Sequence, residues 1–172
     1  MGTIRHWGST EAERAEAFPC DPLLPEADDE LFRAVDVAAP PEVVFRWLCQ
    51  LRAAPYSYDW IDNRGQTSPR ELTPGLDELA VGQRVMRIFR LVAFEPGRHL
   101  TLVLDDPKGL RLFGELVTTY RVTPSGPGSR IVVKLRIRRP RGAVRLFSAL
   151  LPAGDLVMMR KQLLTLKRLA EA

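Results

Sequence analysis

The sequence predicts an α+β domain: a strand leading into a helix, then an antiparallel meander, then a long amphipathic helix. Three observations carry this. Residues 31–51 pass from a two-residue apolar spacing to a helical one, and residues 82–139 hold a period of two through four runs separated by turn chemistry. Residues 156–170 then return to the helical spacing. A sheet built this way has an apolar face that needs a cover, and the closing helix supplies one.

The first thirty residues are irregular, with prolines at 19, 22 and 25 in "PCDPLLPEADDE". They read as an arm, residues 1–30, packed on a domain of residues 31–172, with Trp7, Phe18, Leu23 and Leu24 as apolar anchors. "ELFRAVDVAA" reads as a strand with Val35 and Val37 on one face. "PPEVVFRWLCQL" reads as a helix, because proline suits the first turn and Val44, Trp47, Leu48 and Leu51 make one stripe. "APYSYDWIDN" follows as a short helical loop, and then a long Gly- and Pro-rich loop.

Next come four strands, "QRVMRIFRLVAFEP", "RHLTLVLDD", "RLFGELVTTYRVTP" and "SRIVVKLRIRR", bounded by "EPGR", "DDPKG" and "SGPGS" as turns. In the last one Ile131, Val133, Leu135 and Ile137 face one way, and Arg130, Lys134, Arg136 and Arg138 the other. This predicts a sheet with one apolar face and one wet cationic face. The C-terminal segment, 143–170, is interrupted at "LPAGD". Asp155 reads as the N-cap of a helix whose stripe is Leu156, Met159, Leu163, Leu166 and Ala170.

A chain of 172 residues with 45% hydrophobic and 27% charged side chains has the composition of one ordinary globular domain. It contains no run of about 20 apolar residues and no apolar leader at its start, so the expectation is a cytoplasmic protein without a transmembrane segment. Two cysteines and two histidines are too few for a disulfide framework or an evident metal site, and no cofactor is expected. The charge is unevenly spread. Residues 1–30 hold eight acids against Arg5 and Arg14, whereas residues 130–172 hold eleven bases against Asp155 and Glu171. Such asymmetry means either a face for an anionic partner or an acidic arm lying on a basic body. The basic strand face lacks the interleaved aromatics that stack bases, which argues against nucleic acid.

The phrases "VDVAAPPEVVFRWLCQL", "YSYDW", "LAVGQRV", "FEPGRHLTLVL" and "DLVMMRKQLLTLKRLAE" resemble the START-like superfamily, also called SRPBCC or polyketide cyclase/dehydrase-like. "HWGSTEAE" and "YSYDW" resemble an uncharacterised bacterial branch of it. The resemblance implies a helix-grip fold, a curved antiparallel sheet wrapped around the long C-terminal helix, with an apolar cavity between them. It implies a hydrophobic small-molecule ligand, such as a lipid or polyketide.

Candidate cavity residues are Met86, Phe89, Leu102, Leu104, Leu116, Leu135, Met159 and Leu163, and Tyr120 as a core residue or a polar handle. Tyr56, Tyr58 and Trp60 stand two apart and offer wide apolar area with polar tips, which suits either packing or a pocket rim. Catalytic signatures are missing: there is no GxSxG elbow, no phosphate-cradling glycine loop and no CxxC. Glu115 is a base if its strand face looks inward and a surface ion-pair partner if it looks outward. Three functions follow, in order: binding of a hydrophobic molecule, a cyclase- or aromatase-like enzyme, and an interaction protein using the cationic sheet face.

Overall fold

The computed structural model describes residues 2–63, 65–140 and 151–172. Its centre is one curved sheet of seven strands: β1 (His6–Trp7), β2 (Asp29–Val37), β3 (Arg84–Val85), β4 (Phe89–Glu95), β5 (His99–Leu104), β6 (Glu115–Ser125) and β7 (Gly128–Arg138). The spatial order is β1-β2-β7-β6-β5-β4-β3. Every neighbouring pair is antiparallel except β1 with β2. The helix α3 (Pro41–Cys49) and the C-terminal helix (Leu151–Ala170) pack on its inner face. This is the helix-grip α+β fold.

Alternation sets the two faces. Leu31 pairs with Leu135 across β2 and β7, Thr118 with Leu135 across β6 and β7, and Leu102 with Thr118 across β5 and β6. These positions look inward. The stripe Val44, Trp47, Leu48 and Leu51 of α3 and its following turn is buried, as are Met159, Leu163 and Leu166 of the C-terminal helix. Together they make the main core.

Three local expectations change. The run 84–95 is not one strand, because Met86 (φ 46°) and Arg87 (φ 67°) take left-handed backbone and split it. "DDPKG" is a helix start, not a turn: Asp106 accepts from the Gly109 N–H at 2.8 Å and Pro107 occupies the first turn of α5 (Pro107–Phe113). "LPAGD" does not interrupt the C-terminal helix and Asp155 is not its N-cap, since Pro152 is accommodated early and helical backbone runs from Leu151 onward. The part of that segment at 143–150 lies outside the described residues.

The outer face is not a wet cationic surface. Phe18, Cys20 and Leu24 pack on Phe32, Ala34, Val117 and Val132 as a second apolar cluster. Around it the acids of the N-terminal segment meet the bases of the sheet. Glu13 caps α2 (Glu11–Ala15) through the Thr10 N–H and also pairs with Arg130 at 2.7 Å. Asp21 lies 2.5 Å from Lys134 and 3.1 Å from Arg136, which also pairs with Glu30. Glu16 reaches Arg121 at 2.7 Å, and the Arg121 guanidinium stacks 4.1 Å over the Phe18 ring. Lys134 is 4% exposed. The sequence shows two charged sets far apart along the chain, and the fold brings them together. Of the anticipated anchors, Phe18 and Leu24 are buried and Trp7 packs at the core edge, but Leu23 is 46% exposed.

Candidate functional site: a cavity beneath the C-terminal helix

A cavity of about 800 Å³ lies between the inner sheet face and the C-terminal helix. Phe89 of β4, Leu104 of β5, Leu116 of β6 and Leu135 of β7 give it an apolar floor. The C-terminal helix contributes Asp155, Met158, Met159 and Gln162, which fall on one side because they are spaced by three, one and three residues. Pro55, Ser57 and Ile61 come from the segment around α4 (Asp59–Asp62), and Met86 and Arg87 from the left-handed turn between β3 and β4.

Its polar groups are mostly engaged with one another. Tyr120 donates to Gln162 Oε1 at 2.8 Å, and Gln162 Nε2 donates to the Pro55 carbonyl at 2.6 Å. Burial pushes the Tyr120 hydroxyl well above the usual phenol range. Ser57 donates to the Met158 carbonyl at 3.2 Å, and Thr118 to the Lys134 carbonyl at 3.0 Å.

Asp155 differs. Its Oδ2 is buried, lies 2.7 Å from Arg33 Nη2 as an ion pair, and has no hydrogen-bond partner among the described residues. The Arg33 side chain is fully buried, whereas that of Asp155, a residue of the cavity lining, keeps 16% exposure. Arg33 is otherwise occupied with main-chain carbonyls, those of Arg5, Phe32 and Pro152. Burial raises the Asp155 carboxyl to about 6, although the Arg33 charge pulls it down.

Seven of the twelve anticipated residues line this cavity: Met86, Phe89, Leu104, Leu116, Tyr120, Leu135 and Met159. Leu102 and Leu163 are fully buried in the main core, where neighbouring side chains close the space. The aromatic triad separates. Tyr56, at φ 55°, turns inward against Trp47 with ring centres 6.2 Å apart. Burial, helped by the Asp59 charge, raises its hydroxyl to about 12. Tyr58 is half-buried away from the lining, and Trp60 is 75% exposed. Tyr120 satisfies both readings, since it lines the cavity and its hydroxyl is bonded. Glu115 looks outward and pairs with Arg138 at 3.1 Å.

Sequence reasoning missed Arg33, Ser57, Asp155 and Gln162. A signal existed for two of them. Arg33 occupies the inward phase of β2 between Leu31 and Val35, and a buried guanidinium requires a buried acid. Asp155 lies four residues before Met159 on the same helix face. Among the described residues no group of three His, Cys, Asp or Glu is placed to hold a metal, and no helix is long and apolar enough to cross a membrane.

Residues 30–171 match the family model described as polyketide cyclase / dehydrase and lipid transport. The chain belongs to that family. Comparison with curated proteins finds no match by sequence. Among solved structures, protein CV1439 from Chromobacterium violaceum is similar at 17% identity and TM-score 0.54, over 83% of this chain and 97% of that one. A protein from Nitrosospira multiformis is similar at 12% identity and TM-score 0.52, over 81% and 94% of the two chains. XoxI from Bacillus cereus is similar at 13% identity and TM-score 0.50, over 81% and 93%. At these identities the likeness is one of fold, the one the polyketide cyclase / dehydrase family shares.

Proposed function

We propose that this protein binds a hydrophobic small molecule, a lipid or polyketide-like compound, in the cavity beneath its C-terminal helix. The observation that carries this is an apolar-walled space of about 800 Å³, inside the roughly 300–1,000 Å³ range of small-molecule sites. Membership of the polyketide cyclase / dehydrase and lipid transport family supports the same class of ligand. Two free, buried cysteines suit a reducing, cytoplasmic setting. The cationic sheet face is a poor candidate for nucleic acid or another acidic partner, because the N-terminal segment already neutralises it.

Titration with N-phenyl-1-naphthylamine, a neutral dye that brightens in apolar surroundings, tests the proposal. Saturable binding that a Leu116→Trp variant abolishes is expected; binding unaffected by filling the cavity overturns it. A second reading, an enzyme of the cyclase kind, rests on one observation. Asp155 places a carboxyl with its pKa raised to about 6 on an apolar wall, where it can take or give a proton near neutral pH. Turnover of an apolar β-keto compound, lost in a folded variant lacking Asp155, is the result that reading requires.

A further inference from the structure

The side-chain donors inside the cavity are spent on the protein itself. Tyr120, Gln162, Ser57 and Thr118 each give a hydrogen to a protein acceptor. What remains is an acceptor, the carboxylate of Asp155, a lining residue whose side chain keeps 16% exposure and whose Oδ2 takes no hydrogen bond among the described residues. Asp106, also in the lining, is likewise an acceptor, taking the Gly109 N–H. The one cationic side chain of the described lining is Arg87, which is exposed.

We infer that the cavity selects an apolar molecule bearing a hydroxyl, alcohol or phenol, which donates its hydrogen to Asp155. This rests on the binding reading above and goes further, to the head group. A carboxylate head is disfavoured, because it meets Asp155 and finds no free side-chain donor deep in the site. An ammonium head is disfavoured too, because the Arg33 guanidinium stands 2.7 Å behind the carboxylate. A neutral donor meets neither penalty. Hydrogen bonds to a charged acceptor are the stronger kind, so a preference of about tenfold or more is expected over a head that cannot donate.

The experiment displaces N-phenyl-1-naphthylamine at pH 7.5 with three compounds of equal tail: 1-decanol, its methyl ether and decanoic acid. The alcohol should bind about tenfold tighter than either. Asp155→Asn leaves the Arg33 charge buried and unpaired, which strongly destabilises the fold. The variant of choice is therefore Arg33→Met with Asp155→Leu, which replaces the pair by apolar groups of similar size. In it the alcohol and the ether should bind within about threefold of each other. Decanoic acid binding as tightly as the alcohol, or an alcohol preference that survives in the folded double variant, overturns the inference while leaving the cavity as a binding site. Failure of the dye itself to bind overturns the binding reading and this inference with it.

Discussion

Phe18 is the apolar centre of the contact between the N-terminal segment and the sheet, and its removal has a calculable consequence. The ring is 2% exposed, meets Phe32 edge-on with centres 5.9 Å apart, and carries the Arg121 guanidinium on its face at 4.1 Å. Truncating a buried phenylalanine to alanine costs about 3–5 kcal/mol. For a domain of this length each kcal/mol moves the melting temperature by roughly 2–4 °C, so Phe18→Ala should melt roughly 6–20 °C lower. Leu23→Ala is the control, because Leu23 lies in the same segment but is 46% exposed, and it should stay within about 0.5 kcal/mol. Both variants are followed by thermal and urea melts. The segment is expected to unfold with the sheet as one cooperative unit. A Phe18→Ala melt indistinguishable from that of Leu23→Ala would refute it and make the segment an appendage.

Four further outcomes follow from named contacts. Trp60→Ala should change stability by less than about 0.5 kcal/mol, since Trp60 is 75% exposed, whereas Tyr56→Ala should cost about 3–5 kcal/mol; urea melts of both check this. Leu116→Trp should leave the far-ultraviolet dichroism intact while abolishing dye binding, because Leu116 is a half-buried wall residue beside open space. The Asp155 carboxyl binds its proton more tightly folded (about 6) than unfolded (3.8), so its contribution favours the fold increasingly as pH falls from 7 to 5. Wild type should therefore gain about 1 kcal/mol over that interval relative to the Arg33→Met/Asp155→Leu variant, measured by urea melts at both pH values. Burial raises the Cys49 thiol to about 12 and Cys20 is equally enclosed, so a thiol reagent should label neither in the folded protein and both in urea.

The sheet was readable because alternation is a local pattern, and β7 displays it through its whole length. The cavity floor was readable for the same reason: once the inward phase of β6 and β7 is chosen, Leu116, Tyr120 and Leu135 follow together. What failed needed information from elsewhere in the chain. Lys134 looks like a surface lysine until Asp21, more than a hundred residues earlier, lies against it. Asp155 follows glycine and resembles a cap, and only the position of Arg33 reveals a buried pair. Tyr56, Tyr58 and Trp60 are evenly spaced in sequence, but the left-handed backbone at Tyr56 breaks the geometric regularity that made them look like one surface.

Three of the four methionines, Met86, Met158 and Met159, line the cavity, so their methyl groups report directly on its occupancy. The most direct test of hydrophobic-ligand binding is a carbon-13 methyl spectrum of methionine-labelled protein titrated with 1-decanol. Saturable shifts of all three resonances, lost in Leu116→Trp, are the predicted result. Resonances that stay in place while the alcohol binds elsewhere, or that move without saturation, would contradict the account.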